Sequence, residues 1–206
     1  MRAVESTATL LEDLGHMVTD FEPPYNSFEY VEILLGLSSL GGSSLEEAAR
    51  ATGRAINEDT LEPVNLKLYE HYRNSQVSDP KYVHEAMRRM RLGVGEGTQA
   101  FDILLTPTMP TVALPHSAIY STTNPILSAE EFMQADAALY QYLGVFNVTG
   151  HPSVSLPLAQ STSGLPIGLQ IVGRFGDEAT LVQIARDLEH ARPWSHRQPE
   201  IRAGND

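Results

Sequence analysis

The stretch from Ser153 to Leu188 constrains this chain more than any other. Ser153 to Pro157 alternates, with Val154 and Leu156 on one side, and Ile167 to Val172 is a second apolar run. A turn rich in Ser and Gly separates them, which predicts an antiparallel hairpin. Asp177 then stands where an N-cap belongs, and Leu181, Ile184, Ala185 and Leu188 recur at helical spacing. At the other end of the chain, the order helix, Gly, strand, Pro over residues 3–24 is typical of an α/β layer.

The upstream residues extend that pattern. Ala3 to Leu14 reads as a helix with Val4, Ala8, Leu11 and Leu14 on one face and Gly15 just past its end. His16 to Glu22 reads as a short strand closed by Pro23-Pro24. Asn26 with Glu29 caps a helix from about Phe28, interrupted at Gly41-Gly42. Ser43 with Glu46, or Ser44 with Glu47, then caps a second helix to about Ala55, and another helical stretch follows Pro63. Asp79-Pro80 opens a helix in which Val83, Met87, Met90, Val94 and Phe101 recur, with Gly93, Gly95 and Gly97 weakening its latter half. Ile103-Leu104-Leu105, ending in Pro107, predicts a strand buried on both faces. Residues 107–127 hold four prolines and read as a long ordered loop. Ser128 with Glu131 is a capping box opening a helix to about Leu143-Gly144. There is no internal repeat, and the tail from Pro193 carries no strong signal. The expected class is α/β, a mixed central sheet flanked by helices, over residues 1–206 as one domain or half-domain.

Composition excludes several functions. The chain has 206 residues, 42% hydrophobic and 19% charged, enough to bury a core and unlike a disordered segment. Its net charge of −12 repels polyanions, so neither nucleic acid nor an acidic membrane surface is an expected partner. Cysteine is absent, which removes disulfides, thiol nucleophiles and thiolate metal sites. Glu5, Glu12 and Asp13 interrupt the first apolar stretch, so no signal peptide is read, and the run around Val31 to Leu37 is too short to span a bilayer. The expected compartment is the cytoplasm.

Specific chemistry is scarce. No G-x-S-x-G elbow, Walker A or Rossmann fingerprint follows a strand, and none of the seven histidines forms H-x-H or H-E-x-x-H. No metal or cofactor is expected. Gly41-Gly42-Ser43-Ser44 imitates the start of a Gly/Ser-rich nucleophile loop, but helix capping accounts for it.

An ordered set of motifs is more telling. Residues 146–157 read F-N-V-T-G-H-P-S-V-S-L-P, 164–173 read G-L-P-I-G-L-Q-I-V-G, and 176–181 read G-D-E-A-T-L. With F-D-I-L-L-T-P-T at 101–108 and L-L-E-D-L-G-H-M-V at 10–18, they resemble the C-terminal portion of the amidase-signature family. The resemblance is weakest between residues 25 and 80. It implies a mixed sheet wrapped by helices and hydrolysis or transfer at a carboxamide. Family members use a nucleophilic Ser, a second Ser with a cis peptide bond and a Lys acting through it, with backbone N–H groups as the oxyanion hole. This chain departs there. Gly41 to Ser44 does not continue as the family's loop does, and neither Lys67 nor Lys81 follows an apolar strand. The catalytic half is expected to precede Met1, and no catalytic residue is assigned.

The resemblance implies that this half walls a substrate pocket. The candidates are Phe146, Asn147, Thr149 and Gly150, in a loop read as joining a helix to a strand, together with Asp177. Asn147 either holds the loop backbone or touches substrate, and Gly150 permits close approach. The other reading is a turn with Asn and Gly at special dihedrals. In amidotransferase relatives an Asp matching Asp177 binds the amino group of glutamine, whereas the residues themselves favour an N-cap. His151 reads as a loop residue, and Arg88, Arg89 and Arg91 as a solvated basic face. Two functions follow: part of an amide hydrolase that is inactive alone and completed by an N-terminal half, or a non-catalytic module that pairs with a partner chain or a second copy. A self-contained hydrolase with an unrecognised triad is a third. Aliphatic amides, cyclic amides, carbamates and aminoacyl-tRNA amides all remain open as substrates.

Overall fold

A computed structural model describes residues 2–25, 27–74, 80–115 and 123–199. In chain order the elements are α1 (Arg2–Asp13), α2 (Ser27–Thr52), α3 (Pro63–Asn74), α4 (Pro80–Thr98), β1 (Ile103–Pro107), α5 (Ala129–Tyr140), α6 (Gly144–Thr149), β2 (Ser153–Gln160), β3 (Pro166–Gly173) and α7 (Glu178–Ala191). They fall into two units, one of residues 1–22, 98–108 and 151–206, the other of residues 23–97 and 109–150.

The first unit contains the antiparallel hairpin that the sequence predicts, as β2 and β3, in a sheet covered by helices. Its strands run β1-β3-β2 and both pairings are antiparallel, so the α/β class holds with a small antiparallel sheet among the described residues. Leu105, Ile171 and Val154 are cross-strand partners, and so are Leu169 and Leu156. These residues share one face of the sheet, which packs on Leu11 of α1 and on Leu181, Ile184 and Leu188 of α7. Burying each such Leu or Ile side chain is worth roughly 1.5–3 kcal/mol. β1 lies at the sheet edge, with Leu104 buried on one face while Ile103 and Leu105 are half-buried on the other. The outer edge of β2 is partly closed. Pro157 has no N–H, and its carbonyl accepts from Arg197 Nη1 at 2.9 Å.

The strand expected over His16–Glu22 does not form. Val18 packs on the core cluster and Phe21 sits edge-on to Phe101 at 5.3 Å. Two inward residues three apart do not fit the two-residue period of a strand. Backbone groups of residues 17–22 find no ladder partner among the described residues.

The second unit is helical. α2 runs unbroken for 26 residues through Gly41-Gly42, so the expected interruption and the two capping boxes after it are absent. The reason lies on α3: a Cβ at Gly42 would fall inside the Tyr72 ring. Gly42 therefore allows close packing of α2 on α3 and does not break the helix. Glu46, expected in a capping box, instead accepts from Tyr69 Oη at 3.1 Å. α4 buries Val83, Ala86, Met90 and Val94 and continues past its three glycines; Phe101 lies beyond its end. The caps read at Asn26 and Asp79 lie outside the described residues.

α5 begins as the sequence predicts. Ser128 Oγ accepts from Glu131 N–H, and the Glu131 carboxylate accepts from Ser128 N–H. Lys67 of α3 secures the chain just before this cap by donating to the carbonyls of Pro125 at 2.6 Å and Leu127 at 2.7 Å. Within 107–127, the described residues after β1 form no helix or strand.

Candidate functional site

Phe146, Asn147 and Thr149 lie on a short helix, α6, and not in the expected loop. Phe146 and Thr149 are buried, and Phe146 meets Tyr25 edge-on at 6.4 Å. Asn147 is exposed, and its N–H donates to Leu143 O at 3.1 Å. Gly150 adopts φ 76, ψ 20 and ends the helix through its N–H to Phe146 O. That is the left-handed C-cap for which glycine is suited. Of the four, Asn147 presents an exposed side chain, and Gly150 is exposed without one.

Arg91 supports this helix. Its Nη2 donates to Val148 O at 3.0 Å, placing a cation at the helix's negative end. Arg88, Arg89 and Arg91 are all exposed, as a solvated basic face requires, and Arg88 pairs with Glu85 at 2.7 Å and Arg89 with Glu29 at 3.6 Å. His151 is largely buried and sits edge-on to Phe175 at 6.4 Å, and its burial holds the pKa below the usual imidazole value.

Asp177 caps α7. Its Oδ1 accepts from Thr180 N at 3.2 Å and its Oδ2 from Thr180 Oγ1 at 2.7 Å. These bonds hold the carboxyl below its ordinary pKa. Gly41 to Ser44 lies inside a helix and has no loop geometry. Among the described residues no group of three or more His, Cys, Asp or Glu side chains is arranged to hold a metal.

One polar cluster lies within the quoted motifs but is not among the candidate site residues. Thr106, Gln170 and Ser155 align across the three strands, on the sheet face opposite the leucine core. Gln170 is buried, and its Nε2 donates to Thr106 Oγ1 at 3.0 Å. Thr108 follows β1, and its N–H donates to Gly168 O at 3.0 Å. Although β3 lies between their segments, Thr108 Oγ1 and Ser155 Oγ meet at 2.6 Å. Next-nearest strands ordinarily stand roughly 9–10 Å apart. The bridge forms over Gly168, where a Cβ would lie 2.8 Å from Thr108 Oγ1 and 2.9 Å from Ser155 Oγ. Gly168 also stands opposite the register shift of β2 between Leu156 and Ala159, a place where a strand glycine is common.

This arrangement of sheet and helices is the fold of amidase-signature enzymes. It superposes on a 6-aminohexanoate cyclic dimer hydrolase complexed with substrate at a TM-score of 0.80 and 27% identity, covering 97% of this chain and 42% of that one. It also superposes on a bacterial aryl acylamidase of the amidase-signature family at 0.72 and 21% identity, covering 95% and 41%. The family model for amidases matches residues 1–182, and the chain belongs to that family. It is 32% identical to a putative amidase AmiC of Mycobacterium leprae over 193 residues, covering 93% of this chain and 40% of that protein. The chain thus spans about 40% of the length of the curated relatives it matches.

Proposed function

We propose that this chain is the C-terminal part of an amidase-signature hydrolase acting on a carboxamide bond. It supplies scaffold and substrate-pocket wall, and the catalytic Ser-Ser-Lys apparatus comes from residues outside it. The observation that carries this reading is the family match over residues 1–182 alongside coverage of only 40% of a relative. Asn147 and Gly150 are the wall residues best placed to meet substrate, with Phe146 and Thr149 supporting them from within α6. Asp177 acts as a helix cap. A glutamine-binding role would have to compete with its two bonds to Thr180.

Small linear and cyclic amides are the favoured substrates. The relatives include amidases and a 6-aminohexanoate-cyclic-dimer hydrolase, and a net charge of −12 disfavours a tRNA-borne amide. The proposed partner is a polypeptide corresponding to the remainder of a full-length relative, and the proposed compartment is the cytoplasm. Among the described residues no helix is long and apolar enough to cross a membrane.

The test is hydrolysis by the purified chain, read as ammonia or amine release from linear and cyclic amides. The isolated chain should release none above the buffer rate, and its gene joined to a catalytic N-terminal portion should restore turnover. Turnover by the pure 206-residue chain would overturn the division of labour.

A further inference from the structure

We propose that the outer edge of β1, at Ile103 and Leu105, is the docking site for one β-strand of the polypeptide that completes the enzyme. The partner's identity rests on the amidase reading; the site itself follows from the sheet. In an antiparallel pair, alternate residues bond across the ladder. Thr108 N–H donates to Gly168 O, and the register then turns the backbone groups of Thr106 and Leu104 toward β3 as well. Those of Ile103, Leu105 and Pro107 turn away from it. The edge is closed at both ends. Phe101 N–H donates to Thr98 O at 3.0 Å, and Phe101 O accepts from Arg174 Nε at 2.9 Å. Pro107 has no N–H, and its carbonyl accepts from Thr106 Oγ1 at 3.1 Å. Between these ends, no hydrogen bond among the described residues reaches the N–H or C=O of Ile103 or Leu105.

The two edges of the sheet are treated differently. On β2 the outward residues Ser153 and Ser155 are exposed to water, and farther along Arg197 and Arg192 donate to the carbonyls of Pro157 and Leu158. On β1 the open groups belong to half-buried apolar residues, where water satisfies them only in part. No charge or proline guards residues 103–106, which read I-L-L-T. A strand laid along this stretch satisfies both open N–H groups and both open carbonyls, and the closed ends limit the site to one short strand. The chain spans only 40% of the AmiC relative, so an enzyme of that length brings further polypeptide from which the strand comes. A second copy is the poorer occupant, because it brings together two chains of net charge −12.

The experiment is residue-resolved hydrogen exchange on the 206-residue chain alone, and on the same chain joined to the part of the AmiC relative that it does not match. In the chain alone, the amides of Leu104 and Thr106 should be protected while those of Ile103 and Leu105 exchange freely. In the joined protein the latter pair should slow by about 10-fold or more. Leu105→Pro removes one outward N–H and keeps those that Leu104 and Thr106 give to β3. It should lower the melting temperature of the joined protein by more than that of the chain alone. Ile103 and Leu105 protected in the chain alone would overturn the proposal: at every concentration it would mean that the chain covers its own edge, and only at high concentration that a second copy does. Free exchange in the joined protein, or equal melting losses from Leu105→Pro, would overturn it as well. Turnover by the joined protein without new protection defeats this proposal and leaves the amidase reading standing. Protection without turnover does the reverse.

Discussion

Thr7 is fully buried on α1, and among the described residues its Oγ1 has no hydrogen-bond partner. A hydroxyl left unsatisfied in the interior costs about 1–3 kcal/mol. Thr7→Val keeps the branched shape and removes the polar atom. It should stabilise the protein by about 1 kcal/mol, read as a raised urea midpoint with an unchanged slope. A lowered midpoint would show that the hydroxyl is used. Asp177 poses the converse case, a carboxylate that gains partners on folding. Its folded pKa lies below the ordinary 3.8, so the unfolded chain binds more protons between the two values. The cap's charge-linked stability is therefore complete above the ordinary value and is lost as pH falls through the folded one. Asp177→Asn should keep the cap and flatten this acid dependence, whereas Asp177→Ala should lower the midpoint at every pH. Midpoints measured from neutral into acid solution decide it, and an Asn variant with the wild-type acid slope would count against the cap as its source. The Asp177 cap was legible in the sequence because its partner is three residues away. The Thr7 cost was not, because burial of one helix position depends on what packs over it.

The same division between local and distant causes separates the elements that were read correctly from those that were not. The Ser128–Glu131 box, the β2–β3 hairpin and α7 each carry their signal within a few residues. The continuity of α2 does not, because the reason for Gly42 is Tyr72 on another helix. The bridge across Gly168 needed the register of three strands before Thr108 and Ser155 could be placed together. The failed strand at His16–Glu22 shows the opposite error, since apolar residues followed by prolines cannot reveal that ladder partners are missing. The two adjacent glycines of α2 turn this into a controlled comparison. A Cβ at Gly41 meets nothing within 4 Å, so Gly41→Ala should gain helix propensity worth about 0.5–1 kcal/mol. Gly42→Ala gains the same propensity but drives its methyl into Tyr72, and should be destabilising by about 1–3 kcal/mol. Thermal melts of the two variants should move in opposite directions. If both rise, Tyr72 has room to move and the close-packing account of Gly42 fails.

At the scale of the whole molecule, the two units are built by different rules. Unit 1 gathers three separate chain segments around a sheet, pairing Leu105 with Ile171 and Leu156 with Leu169. Unit 2 is composed of helices, with α2 packed on α3 and α5. Each has buried apolar residues of its own: Leu11, Leu169, Ile171 and Leu188 in the first, and Ile33, Val64, Val83, Met90 and Met133 in the second. Separate cores permit separate cooperativity, because stability within a chain is distributed over units that open with their own free energies. Thr7 belongs to the first unit and Gly42 to the second, so the two substitutions report on different cores. Native-state hydrogen exchange should show Thr7→Val slowing exchange in β3 and α7 with little change in α4. Gly42→Ala should hasten exchange in α2, α3 and α5 and leave β3 near its wild-type rate. If each variant instead shifted the protected amides of both units by the same factor, the chain would be one cooperative body, and the partition into two units would describe its geometry without describing its energetics.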